Sequence, residues 1–131
     1  MISTKDLAVM KTAYEKIYII ENLLRMYISK RMKAKYGEHW FYIAPNKTLK
    51  RMPKGSFDSK NFHDLESYLH IYSALFKEVS PNFTFYLRPL YPIRNKIAHN
   101  QMLTGEELSQ LTESFQYITN IFEFNGEGVL N

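Results

Sequence analysis

The sequence predicts an all-α fold, a bundle of four to five helices with one long basic loop between the first helix and the second. Three observations carry that prediction. Apolar residues recur at three- and four-residue spacing through most of the chain, cap-like residues stand in front of the periodic runs, and no segment makes a convincing strand. At 131 residues the chain has the size of one domain, and such a domain buries roughly two-thirds of the surface its unfolded form exposes. It therefore needs neither a metal nor a disulfide to hold it together.

The first run opens at Ser3-Thr4-Lys5-Asp6, a weaker relative of the Ser-x-x-Glu capping box. Leu7, Met10, Tyr14, Ile17, Leu24 and Ile28 follow at helical spacing, which predicts a helix of about 30 residues. Glu21 falls where this stripe asks for an apolar side chain. A lone buried carboxylate costs several kcal/mol, so Glu21 either pairs with a cation or leans to solvent beside the parallel stripe Ala13, Ile17, Ile20, Leu24 and Tyr27.

From Gly37 to about Asn61 the period fails, and Pro45, Pro53 and Gly55 punctuate a basic stretch that starts with His39, Trp40, Phe41 and Tyr42. Residues 37–61 are therefore expected to be a loop or insertion, and loops of this length tend to be functional or disordered. Its aromatics suit either stacking with bases of single-stranded nucleic acid or anchoring on the helices. Periodicity resumes after Asn61-Phe62-His63-Asp64, with Leu65, Tyr68, Leu69, Tyr72, Leu75, Phe76 and Val79 on one face. His63 and His70 lack a third ligand at metal-binding spacing and are expected to be surface histidines.

Ser80-Pro81 opens a further helical piece, which Pro89 and Pro92 should break before Ile93. Pro92 can then sit in the first turn of a new short helix. Thr104-Gly105-Glu106-Glu107 is a full capping box, and Leu108, Leu111, Phe115, Ile118 and Phe122 define a last helix to about Phe124. The expected organisation is one domain over residues 1–124 and a flexible tail over 125–131.

Zero cysteines remove disulfides, thiolate metal sites and cysteine nucleophiles together, and suit a reducing compartment. The N-terminal residues mix acids and bases with apolar residues and lack a signal-peptide pattern, and no stretch approaches the roughly 20 apolar residues of a membrane span. A cytoplasmic protein with no membrane partner is expected. The net charge of +4 is unevenly placed: residues 29–62 hold nine Lys or Arg against two acids, +7, and the remainder carries −3. Lys33, Lys47, Lys50 and Arg51 belong to this patch and are the candidate contacts to RNA phosphates, the alternative being a solvated basic face.

The segment Arg94-Asn95-Lys96-Ile97-Ala98-His99 raises a catalytic possibility. With five Arg and four His in the chain, an Arg followed by a His five residues later arises by chance about once in seven such sequences. Five residues turn a helix by about 500°, so Arg94 and His99 would point about 140° apart, while Asn95 and His99 share a face. The pair can serve one phosphate if His99 lies at a fraying helix end, which Asn100 as a favoured stop supports, or if two chains pool their motifs.

This segment resembles the R-x4-6-H signature of the HEPN superfamily, and in its RN-x-apolar-A-H form it looks most like the abortive-infection and toxin ribonucleases. Ile20-Glu21-Asn22-Leu23-Leu24-Arg25 is similar to the E-N-x-L-R stretch of the first helix there. The resemblance implies an endoribonuclease of single-stranded RNA that needs no metal or cofactor. The 2′-hydroxyl attacks the adjacent phosphate and leaves a 2′,3′-cyclic phosphate and a 5′-hydroxyl. It makes His99 the general base or acid and Arg94 the stabiliser of phosphorane charge. Asn95 would position phosphate or orient His99, Lys96 would add charge, and Glu21 would hold Arg94 or His99 in place.

It also implies a homodimer through the helix carrying Arg94 and His99, an antitoxin or regulatory protein as a further partner, and a toxin or anti-phage defence role. In the group silenced by nucleotidyltransferase antitoxins a Tyr stands two residues after the His, and here Gln101 stands there, so that route of regulation is not expected. Two other readings fit the residues: a non-catalytic HEPN module for RNA or nucleotide binding or for dimerisation, and an unrelated helical adaptor in which Arg94 and His99 satisfy carbonyls or bridge to an acid such as Glu21.

Overall fold

A computed structural model of the chain describes residues 2–77, 79 and 81–124. Among these residues there are six α-helices, two 3-10 turns and no strand. The helices are α1 (Thr4–Tyr36), α2 (Trp40–Leu49), α3 (Phe62–Ile71), α4 (Pro81–Leu87), α5 (Leu90–Ala98) and α6 (Gly105–Phe124), with 3-10 turns at Phe57–Ser59 and Ser73–Leu75. No helix among the described residues is long and apolar enough to cross a membrane. The expected tail, 125–131, lies outside the described residues.

The chain forms two compact units, Met1–Leu23 with Ser80–Asn131, and Leu24–Val79. In the first, Ser3 starts α1 by accepting from the backbone N–H groups of Lys5 and Asp6 at 3.1 and 3.3 Å. Here α4 and α5 both pack on α6. The core is Ala13, Ile17 and Ile20 of α1 with Phe83, Leu87, Leu90, Ile93, Leu111, Ile118 and Phe122, all buried. Ser114 is buried among them because its hydroxyl donates to the Tyr86 carbonyl at 2.7 Å, and the Tyr86 and Tyr117 rings stack at 4.1 Å. The buried face of α1 is thus the Ala13, Ile17, Ile20 stripe. Leu7 and Tyr14, which the periodic pattern placed in the core, are exposed.

The second unit departs furthest from the sequence reading. Residues 37–61 are not one loop, because α2 occupies ten of them. Pro45 suggested a break, since a proline inside a helix removes one hydrogen bond and costs about 3 kcal/mol. The helix persists because Trp40, Phe41, Ala44 and Pro45 form a buried face. Trp40 meets Phe57 edge-on at 4.8 Å, and Phe57 meets Tyr68 of α3 at 5.4 Å. Burying two large aromatics offsets the lost hydrogen bond. Trp40 and Phe41 are therefore anchors, while His39 and Tyr42 stay exposed.

Gly37, at φ 88, ends α1 and donates its N–H to the Lys33 carbonyl at 2.8 Å. Asn61 and Asp64 form a reciprocal capping box at the start of α3. That helix stops at Ile71 rather than running to Val79. Tyr72 caps it, and the following residues tighten into a 3-10 turn that keeps Phe76 buried. His70 lies 3.8 Å from Glu66, a buried acid of the preceding turn.

Candidate active site

Arg94 and His99 come from α5, a helix of nine residues whose two ends are both fixed by local chemistry. Pro89 stands at its N-cap and Pro92 lies in its first turn, where a missing N–H costs nothing. His99 is the C-cap, with φ −98 and ψ 13, and its backbone N–H reaches the Asn95 and Lys96 carbonyls at 3.1 and 3.2 Å. Asn100 then takes φ 58, its N–H bonds the Ile97 carbonyl at 3.0 Å, and the Gln101 N–H bonds the Lys96 carbonyl at 2.8 Å. This is a Schellman ending with Asn in the left-handed position. His99 thus sits at the helix end, but the end is locked rather than frayed.

The next turn adds a second lock. Thr104 N–H donates to Glu107 Oε1 at 2.8 Å, and Glu107 N–H donates to Thr104 Oγ1 at 3.1 Å, which completes the capping box of α6. Lys96 Nζ donates to the same carboxylate oxygen at 2.8 Å. The bonds from Lys96 and Thr104 hold the Glu107 carboxyl below the usual carboxylate range. Lys96, expected to add charge for a phosphate, ties α5 to the start of α6 through this bond.

Glu21 is paired, as one of the two sequence readings required. Its Oε1 lies 3.4 Å from Arg94 Nε, with the carboxylate side chain 17% exposed and the guanidinium side chain 36% exposed. No hydrogen bond among the described residues engages the terminal amino groups of Arg94, so the contact leaves the fork of donors available to an anion. Asn95 and His99 are exposed, and the His99 imidazole makes no hydrogen bond or ion pair among the described residues. Asn95 holds His99 through its backbone carbonyl rather than its side chain.

The other part of the E-N-x-L-R stretch is structural. Leu23 and Leu24 are buried, Asn22 Nδ2 donates to the Tyr18 carbonyl at 2.8 Å, and Arg25 Nη2 donates to the Lys60 carbonyl at 2.8 Å. Lys47, Lys50 and Arg51 are exposed in the Leu24–Val79 unit. Lys33 in that unit shares its charge with Glu38 at 2.9 Å, a surface pair worth little.

Sequence reasoning missed a groove of about 640 Å³ beside the end of α5, lined by Leu7, Met10, Tyr14 and Tyr18 of α1, with Lys11 and Glu15 between them, together with Ile97 and Asn100. Leu7, Tyr14 and Tyr18 are each more than half exposed. The available signal was that α1 carries two apolar stripes, and only one of them can face the core. Ile97 and Asn100, which flank His99 in the chain, form part of its wall.

Residues 15–121 match a family model described as Swt1-like HEPN. No curated protein and no solved structure matches the chain.

Proposed function

The chain belongs to the Swt1-like HEPN family, and from that premise we propose that it is a metal-independent endoribonuclease of single-stranded RNA acting through Arg94 and His99. The observation that carries this reading is the locked end of α5. An exposed imidazole at the C-cap stands five residues after an arginine whose terminal amino groups are open to an anion. In the reaction the 2′-oxygen of the RNA forms a bond to the adjacent phosphorus as its proton leaves, and the bond from phosphorus to the 5′-oxygen breaks as that oxygen gains a proton. The products are a 2′,3′-cyclic phosphate and a 5′-hydroxyl. His99 takes or gives one of these protons, a role worth roughly 10²–10⁴ in rate. Arg94 meets the charge that grows on the phosphorane oxygens. Glu21 holds the guanidinium from behind, and Asn95, on the His99 face of the helix, positions phosphate.

A straight helix splays Arg94 and His99 by about 140°. The site is therefore composite, built by two copies whose α5 ends face one cleft. The exposed Leu7, Tyr14 and Tyr18 face, which shares Ile97 and Asn100 with the end of α5, supports this reading, since an apolar face of that kind is what a second copy would cover. Degradation of cellular RNA would suit a toxin or defence effector, held in check by a protein partner until needed.

A gel of total RNA after expression tests the reading. Wild type should fragment the RNA and His99→Ala should leave it intact at equal protein level; fragmentation by both would refute the assignment. An exposed basic patch without the composite site would give instead a binding module, and that protein would hold RNA in a salt-sensitive complex with no cyclic-phosphate product.

A further inference from the structure

The Leu24–Val79 unit holds a pocket of about 450 Å³ that the Arg94 and His99 chemistry does not use. Its size falls in the lower part of the range for small-molecule sites, roughly 300–1,000 Å³. Pro45 and Leu49 of α2 and Ile71 of α3 give it an apolar surface. Tyr68 and Tyr72 also line it, their rings stacked with centroids 5.9 Å apart and planes inclined by 21°. Burial, and then the neighbouring Tyr72 and Asp64, push the Tyr68 hydroxyl up to about 12. That hydroxyl remains a protonated donor at any working pH.

The charges around the pocket are unequal in what they are free to do. Arg51, Lys54 and Lys60 line it against one acid, Asp64. Lys60 is used internally, because its Nζ donates to the Lys54 carbonyl at 2.8 Å and lies 5.9 Å over the Phe41 ring. Asp64 is used in the Asn61 capping box. Arg51 and Lys54 are exposed and make no ion pair among the described residues. The backbone presents Arg51 deliberately: Lys50 turns out of α2 at φ 56, and the N–H groups of Lys50 and Arg51 both reach the Pro45 carbonyl. The Arg51 charge also acts on Tyr72, which places the guanidinium near the stacked rings.

A ligand fitting this arrangement has a flat apolar body with polar edges and an anionic group at one end. The Tyr68 hydroxyl supplies a donor for those edges, and Ser67, whose hydroxyl donates to the His63 carbonyl at 3.1 Å, supplies an acceptor through its oxygen. We propose that the pocket takes one nucleotide unit, its base against the Pro45, Leu49 and Tyr68 surface and its phosphate against Arg51 and Lys54. Bases stack on aromatic and apolar side chains while cations meet the phosphate. The unit comes either from an RNA strand or from a free nucleotide; the strand source rests on the ribonuclease reading, and the free nucleotide does not.

The test uses the full chain carrying His99→Ala, so that RNA survives the titration, with binding of 5′-AMP read by calorimetry. AMP should bind saturably, ribose 5-phosphate should bind at least tenfold more weakly, and Arg51→Ala with Lys54→Ala should weaken AMP by about tenfold or more and reduce its salt dependence. Both substituted side chains are exposed, and unchanged helical circular dichroism will verify the fold. Displacement of AMP by a short single-stranded RNA assigns the pocket to the strand, and AMP binding without displacement assigns it to a free nucleotide. No saturable AMP binding, or equal affinity in the doubly substituted protein, overturns the proposal. These readouts are independent of whether wild type cleaves RNA.

Discussion

Replacing Glu21 by Gln probes the link between the first helix and the motif. The carboxylate lies 3.4 Å from Arg94 Nε, a separation that corresponds to about 5 kcal/mol of attraction at an effective dielectric of 20 and about 1 kcal/mol in bulk water. The guanidinium is 36% exposed and the carboxylate 17%, so solvent screens the pair from one side, and its net coupling should be about 1–2 kcal/mol. A double-mutant cycle of Glu21→Gln, Arg94→Gln and the double variant, read by urea unfolding at one protein concentration, isolates that coupling. Each kcal/mol should also move Tm by about 4 °C for a chain of this size. Activity supplies the second readout. Glu21→Gln leaves the arginine present but less well placed, so cleavage should fall by roughly tenfold, against roughly 10²–10³ for Arg94→Gln. Additivity within about 0.5 kcal/mol would refute the claim that Glu21 holds Arg94.

Asn100→Gly should preserve stability and cleavage, because glycine accepts φ 58, whereas Asn100→Ala should cost about 1 kcal/mol and loosen the end that carries His99; thermal unfolding of both variants checks this. Thr104→Ala should cost about 1 kcal/mol through loss of the cap, read by the same assay. The lowered pKa of Glu107 means that its ties stabilise the fold fully above the ordinary carboxylate range and are lost as pH falls through its folded value. Tm should therefore drop less steeply with acid in Glu107→Gln than in wild type, and parallel curves would contradict the link. Tyr14→Glu with Tyr18→Glu should convert a dimer to monomer in sedimentation and abolish cleavage while leaving helicity intact, since both side chains are exposed.

What the sequence disclosed was mostly local. Ser3, the Asn61 and Asp64 pair, the Thr104 and Glu107 box and Asn100 all act within a few residues of themselves, so their roles could be read from spacing. Glu21 was legible for a different reason: an acid in an apolar stripe demands a partner, and Arg94 meets that demand. The misreadings were tertiary. Pro45 looks like a breaker until Phe57 and Tyr68 are seen to bury the helix that contains it. Leu7 and Tyr14 fit the helical period as well as Ile17 does, and only packing reveals which of the two stripes is covered. Lys96 gave no sign of its tie to Glu107, eleven residues away, because that distance depends on how the turn after His99 closes. The pocket of Arg51, Lys54 and Tyr68 stayed hidden for the same reason, since its walls come from two helices and the segment between them.

The most direct measurement is cleavage of a defined single-stranded RNA in EDTA by wild type and His99→Ala, with the product ends identified. Wild type should yield 2′,3′-cyclic phosphate and 5′-hydroxyl ends without metal, and His99→Ala should lose at least a hundredfold in rate with its helical spectrum and dimer unchanged. Undiminished cleavage by His99→Ala, or a wild-type activity that EDTA extinguishes, would contradict the account.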